Sequence, residues 1–237
     1  MLTCAALTFK GNREINEDSL DYAYEADTGF FVLADGLGGH GHGEIASGIV
    51  TDVSMKHHAA SPGDLDGCFI ESQARLIDEQ RKNNAWDDLK TTMVCMYIRE
   101  GKAKWGHIGD SRLYYFSEGK LIKHTFDHSV AQLLVSMGEI KGKDIRGHED
   151  RNRLLRVLGV DLDIPKYETE ELIELGEGDA FLLCSDGFWE WILERDMEKT
   201  LKKSETPDQW LEMMESVILK KGSGFSMDNY SAIAVFT

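Results

Sequence analysis

Two four-residue connectors constrain this chain more than any other feature of it. Arg99-Glu100-Gly101-Lys102 joins the apolar runs 91–98 and 103–108, and Ser117-Glu118-Gly119-Lys120 joins 113–116 to 121–123. Gly-containing connections this short close hairpins, since a parallel crossover needs a dozen residues or more. The middle of the chain is therefore predicted to be antiparallel sheet. Further strands are expected over 2–9, 19–24 and 30–34 before it, and over 181–184 and 231–236 after it. Ile45, Ala46, Ile49, Val50 and Val53 recur at helical spacing, and a second helix over 64–80 would turn Leu65, Phe69, Leu76 and Ile77 inward. A short helix carrying Val130, Leu133, Leu134 and Met137 stops at Gly138. Thr206-Pro207-Asp208-Gln209 is a helix start, with Pro at the first position and a capping box. Its inner face is Trp210, Leu211, Met214, Val217 and Ile218, and Gly222 ends it. Helix pairs bracketing runs of antiparallel strands predict an α+β layered fold. With three prolines, no repeat and no low-complexity stretch, residues 1–237 are read as a single domain.

Charge narrows the function. Against 26 basic residues stand 42 acidic ones, a formal net charge of −16. Nucleic acid and anionic membrane are held by basic patches, so neither is the expected partner. No apolar run approaches the ~20 residues of a membrane span. The start, MLTCAALTFKGNRE, lacks a basic segment ahead of its apolar stretch, so no signal peptide is read and a cytoplasmic monomer is expected. Cys4, Cys68, Cys95 and Cys184 are widely spaced and form no CxxC pair, which fits buried reduced thiols.

The chemistry sits on acidic residues at strand ends. Asp35 follows 31–34 and opens DGLGG, Asp110 follows 105–109 and opens DSR, Asp186 follows 181–185, and Asp228 precedes Asn229 and the last strand. Loops leaving a rigid sheet carry function, and a small residue beside each carboxylate lets backbone approach a ligand. Two carboxylates ~5 Å apart repel by roughly 3 kcal/mol at an effective dielectric near 20. A converging set therefore needs protons or cations, and all-oxygen donors suit Mg²⁺ or Mn²⁺. An Asp capping a turn is the simpler reading of any one of them, but a weaker reading of all four. Gly36-Leu37-Gly38-Gly39-His40-Gly41 also satisfies GxGxxG. Asp35 beside a pyrophosphate, the hairpins that follow and the lack of a second βαβ half argue against a dinucleotide fold. His40 and His42 form an HxH pair in a Gly-rich loop, and His57-His58 at a helix end is accounted for by the helix dipole.

Taken in order, Arg13-x-x-x-Glu17-Asp18, Asp35-Gly36-x-Gly38-Gly39, Thr91-Thr92, Gly109-Asp110-Ser111-Arg112, Ser185-Asp186-Gly187 and Asp228-Asn229 resemble the motifs of the type-2C metal-dependent (PPM-type) protein phosphatases. Thr125-x-Asp127-His128-Ser129 and His148-x-x-Arg151-Asn152 are similar to that family's flap, here about 125–155. The resemblance implies two central antiparallel sheets between helix pairs. It also implies hydrolysis of phosphoserine and phosphothreonine in proteins by in-line attack of a metal-bridging hydroxide, with a cognate serine/threonine kinase supplying the substrates. By the same resemblance Asp35 bridges two Mn²⁺ or Mg²⁺ ions, the Gly36 carbonyl binds one, and Asp186 and Asp228 complete the other site. Asp110 with Asp186 offers a third, weaker position. Glu17 and Asp18 hold metal-bound water beside Asn229, and Arg13 grips the phosphate. Two departures stand out. Leu37 occupies the place of a His that is thought to protonate the leaving group in many eukaryotic members, leaving a metal-bound water or a nearby group such as His40; an apolar residue there is similar to bacterial members. Lys90 stands where a Gly is usual. An inactive binding module on this fold would be expected to have lost a ligand Asp, and all are present.

Overall fold

The computed structural model describes residues 1–38, 42–83, 89–162 and 164–237. Both Glu-Gly turns close hairpins, with positive φ at each central residue: 50° and 71° at Glu100 and Gly101, 50° and 67° at Glu118 and Gly119. Paired positive φ angles match the right-handed twist of the flanking strands.

In chain order the elements are β1 (Thr3–Phe9), β2 (Asp18–Glu25), β3 (Thr28–Asp35), α1 (Gly43–Ala60), α2 (Leu65–Asn83), β4 (Met93–Arg99), β5 (Lys102–Ile108), β6 (Arg112–Ser117), β7 (Lys120–His124) and α3 (Val130–Ser136). A 3-10 turn, Gly142–Gly147, precedes β8 (Glu168–Thr169), β9 (Ile173–Glu174), β10 (Ala180–Cys184), α4 (Asp186–Trp189), α5 (Glu194–Leu201), α6 (Pro207–Gly222) and β11 (Tyr230–Phe236). One sheet runs β1-β11-β10-β6-β7 and the other β2-β3-β4-β5-β8, with β9 also on β5. Every pairing is antiparallel, which excludes the dinucleotide fold.

The sheets stack face to face over Phe31, Leu33, Val94, Met96, Phe181, Leu183, Ile233 and Val235. The alternate residues Phe30, Val32 and Ala34 point the other way, onto Ala46 and Val50 of α1 and Phe69 and Leu76 of α2. Leu182, Ala232 and Ala234 do the same toward Trp189 of α4, Met197 of α5 and Trp210 and Met214 of α6. Strands buried on both faces read as continuous apolar runs, which is why 30–34 and 181–184 show no alternation. The layers are helix, sheet, sheet, helix, as expected.

Local differences have physical causes. The buried stripe of α1 is Gly43, Ala46, Ser47, Val50, Thr51 and Ser54, while Ile45 lies 44% exposed. Hydroxyls take the inner face because they hold the loop beneath: Ser47 Oγ donates to the Glu17 carbonyl (2.6 Å), and Thr51 Oγ1 meets Ser19 Oγ (2.8 Å). In α3 only Ala131 is buried, and Leu133 and Met137 face outward. At α6 Thr206 accepts from Gln209 N, but the Gln209 side chain accepts from Glu205 N, one residue ahead of a true capping box. His57 does more than meet a helix dipole, since its ring nitrogens lie 3.0 Å from Asp64 and from Glu71 on the α2 side, and His58 stacks on Phe30. Cys68, Cys95 and Cys184 are buried free thiols, and Cys4 is partly buried. Short α4 and α5 and the two-residue β8 and β9 leave too brief a pattern to be read from sequence.

A carboxylate cleft at the strand ends

The ends of both sheets meet in a cleft of about 370 Å³ lined by Arg13, Glu17, Asp35, Gly36, Leu37, Gly38, Asp110, Asn152, Leu154, Asp186, Asp228 and Asn229. Asp35 ends β3, and Asp110 lies two residues past β5. Asp186 follows β10 as the first residue of α4, and Asp228 precedes β11. Asp18 is the register partner of Asp35, so it faces the same end of the second sheet. It is buried, and its Oδ2 accepts from Ser185 Oγ (2.8 Å), a bond that ties one sheet to the other.

Backbone contacts hold these groups in place. Asp35 N donates to Thr92 Oγ1 (3.0 Å), Thr91 Oγ1 donates to the Asp35 carbonyl (2.8 Å), and Thr92 Oγ1 meets Ser111 Oγ (2.7 Å) beside Asp110. The Asn229 side chain is fully used. Its Oδ1 accepts from Glu17 N (2.8 Å), and its Nδ2 donates to the carbonyls of Lys10 and Ile15 (both 2.9 Å), which fastens the loop that carries Arg13. Gly38 lets the loop pack against the Glu17 carboxylate, since a Cβ there would lie 1.9 Å from Glu17 Oε2 and would displace that side chain. A Cβ on Gly187 would strike the Asn229 carbonyl at 2.1 Å. Lys90 contributes its backbone, its carbonyl accepting from Leu37 N (2.9 Å), a contact any residue can make. His40 and Gly39 lie outside the described residues.

The electrostatics are those of a site short of positive charge. Burial, followed by repulsion from Asp18, Asp186 and Asp110, pushes the Asp35 carboxyl well above its ordinary range. Burial and then Asp186 do the same to Asp110. Asp186 rises to about 6 through burial and then Asp228, and Asp18 to about 7 through burial. Arg13 is the one cation lining the cleft among the described residues, and its Nη2 lies 2.6 Å from Asp228 Oδ2. Asp18 Oδ1 is buried with no hydrogen-bond partner among the described residues. An orphaned buried oxygen among mutually repelling carboxylates fits hard, oxygen-seeking cations, and the donor set holds no thiol or imidazole.

Residues 10–223 match the protein phosphatase 2C family. The chain belongs to that family. It is 30% identical over 214 residues to the serine/threonine phosphatase stp of Listeria monocytogenes, covering 86% of this chain and 82% of that one. It superimposes on Stp1 of Staphylococcus aureus with a TM-score of 0.89 at 26% identity, covering 100% and 95% of the two chains. The catalytic domain of the phosphatase PstP in complex with two manganese ions is similar too, with a TM-score of 0.81, 26% identity and coverage of 99% and 97%. The protein is a serine/threonine protein phosphatase of this metal-dependent family.

Around the phosphatase cleft the structure adds residues whose place the sequence did not show. Leu154 lines the cleft because it bridges to Ser129 while Val130 N donates to the Arg153 carbonyl (2.9 Å), and no local pattern announces that. Arg112 and Asp127 form a buried two-pronged pair with both N–O distances 2.7 Å. The Arg112 guanidinium lies 3.6 Å over the Trp189 ring, and Trp189 Nε1 donates to the Asp110 carbonyl (2.9 Å). Asp127→Asn leaves that guanidinium buried and uncompensated. It should cost about 3–5 kcal/mol in urea unfolding, and a loss under 1 kcal/mol would contradict the buried pair.

His107, His128 and Glu168 converge as well, with ligand atoms within 4.8 Å of one another. The tautomer argues against a metal there. His128 Nδ1 accepts from Gly109 N (3.1 Å), so the proton sits on Nε2, which faces Glu168 at 3.3 Å. Burial and then His107 lower His128 to about 4, keeping it neutral. The His128 backbone N–H also donates to the Gly109 carbonyl (2.9 Å), so this residue grips Gly109 from both sides just ahead of Asp110.

The raised carboxylates set a pH dependence. Between about pH 4 and 7 the folded, metal-free chain keeps protons on Asp18 and Asp186 that the unfolded chain has released. Through these two groups metal-free stability falls as pH rises, the reverse of a salt-bridged carboxylate, while the lowered His128 works the other way, because the unfolded imidazole gives up its proton as pH rises. Asp186→Asn isolates the carboxylate: without divalent cations, the melting temperature of wild type relative to that variant should fall between pH 5 and pH 7.5, each kcal/mol moving it by about 2–4 °C at this size. A wild-type advantage that grows with pH would contradict it.

Proposed function

We propose that this phosphatase binds divalent cations, Mn²⁺ or Mg²⁺, through Asp35, the Gly36 carbonyl, Asp186 and Asp228, with Asp110 and Asp186 forming a third, weaker position. The observation that carries the reading is the convergence of these carboxylates from the ends of four strands beside the orphaned oxygen of Asp18. Bound there, such ions supply Lewis acidity, neutralising phosphate oxygens and lowering the pKa of a bound water. The protein's own groups do the rest. Glu17 and Asp18 hold water in place, and Asn229 fixes the loop that presents Arg13. Arg13 keeps its guanidinium charged beside Asp228, which raises its pKa further. Arg13, half-exposed at the cleft and paired with Asp228, would present its fork to two oxygens of the phosphoserine or phosphothreonine. Leu37 holds no proton, so the leaving alkoxide takes its proton from outside that side chain. The phosphoproteins are those of a serine/threonine kinase.

Purified protein should release phosphate from phosphoserine and phosphothreonine peptides with Mn²⁺ or Mg²⁺, and stop when a chelator is added. Undiminished turnover after rigorous chelation would overturn the cation reading.

A further inference from the structure

A second cavity, about 420 Å³, lies beneath the Gly142–Gly147 turn and shares no lining residue with the carboxylate cleft. Four cationic side chains line it, Arg112, Lys143, Arg146 and Arg195, against the single carboxylate of Glu194. That sign is reversed from the rest of a chain with a net charge of −16. The two deeper guanidiniums are held rigidly. Arg112 is locked on Asp127, while Arg146 donates from Nε to the Trp189 carbonyl (3.1 Å) and from Nη2 to the Ile192 carbonyl and Glu194 (3.2 and 2.7 Å). Arg146 is thereby left with Nη1, which has no partner among the described residues. Lys143 and Arg195, both exposed, make no ion pair among the described residues. Phe126, Val135 and Leu193 also line the cavity, and Phe126 is 60% exposed.

We infer that this cavity is a second anion site, which takes a phosphate or carboxylate carried on an apolar body. A concavity whose cationic side chains outnumber its carboxylates, four to one, concentrates anions, and fixed guanidiniums meet an oxyanion without reordering. The apolar wall sets the class of ligand, since a bare inorganic ion would leave Phe126, Val135 and Leu193 uncovered. Such an anion has two sources: an acidic or phosphorylated side chain of the phosphoprotein flanking the scissile residue, or a free organic phosphate. Either is registered at the reaction centre through one wall residue. Arg112 stacks on Trp189, and Trp189 holds the carbonyl of Asp110.

The test separates this site from the cleft by using protein stripped of metal on a chelating resin, in which the cleft carboxylates repel anions. Phenylphosphonate, titrated by calorimetry, should bind at one site per chain. The double variant K143E/R195E alters two exposed side chains, and should weaken that binding by about tenfold or more. Unchanged affinity in that variant, no binding to the wild type, or binding lost equally in Arg13→Ala would each overturn the site. Should K143E/R195E fail to give a native circular dichroism spectrum, K143A/R195A replaces it under the same criterion. Metal-loaded enzyme then tells the sources apart. If the anion belongs to the substrate, the variant loses kcat/KM only on phosphopeptides with glutamates beside the phosphoresidue. If it is free, phenylphosphonate changes wild-type turnover of glutamate-flanked and alanine-flanked peptides alike, and the variant abolishes that response.

Discussion

Asp186→Ala should abolish divalent-cation binding in calorimetry and lower phosphopeptide turnover by at least about a thousandfold, some 4 kcal/mol of transition-state stabilisation. Asp186 stands between Asp35, Asp110 and Asp228, and its charge raises the carboxyls of both Asp35 and Asp110. The same crowding makes a second, less obvious result testable. Asp35→Asn removes one of the repelling charges, so without metal the variant should be no less stable than wild type, yet inactive. With metal the order reverses, because wild type alone gains the linkage term, about 2.7 kcal/mol at a hundredfold excess over Kd. Thermal melts of both proteins with and without Mn²⁺ decide the matter. An Asp35→Asn protein that fails to fold even without metal would assign Asp35 a structural role instead.

Arg13→Ala should leave cation binding in place and cut kcat/KM for phosphopeptides by about ten- to a hundredfold, the loss of a charge-assisted contact worth roughly 1.5–3 kcal/mol. Its side chain is 56% exposed and, among the described residues, its ion pair is to Asp228, so little packing is lost with it. Arg13→Lys should recover part of the rate only, since an ammonium cannot take two oxygens in one plane. Calorimetry with Mn²⁺ beside steady-state kinetics separates the roles. If Arg13→Ala weakened metal binding or folding as much as turnover, Arg13 would be a loop brace for Asp228 and not a phosphate clamp.

Much of this site was legible because its residues are local signals. An Asp just after an apolar run, next to Gly or Ser, marks a strand end wherever the strand lies in space; Asp35, Asp110 and Asp186 were read that way, and Asp228 from its place beside Asn229 just ahead of the last strand. The two Glu-Gly turns likewise declare antiparallel pairing within four residues. What joins Asp18 to Ser185, Arg112 to Trp189, or Leu154 to the cleft spans 167, 77 and 25 positions or more, and no periodicity carries such distances. The α1 face shows the same limit. Ile45 fits an apolar stripe, but the helix turns Ser47 and Thr51 inward because Glu17 and Ser19 need their hydroxyls. Strand ends, turn chemistry and the order of the motifs are properties of short segments, and the sequence alone determined them through local sterics and hydrophobic period. Which carboxylates share one cleft, how far their mutual repulsion raises them, and where the cations of an acidic chain gather into a cavity were decided only by the stacking of two sheets, because charge interaction depends on distance in space and not along the chain.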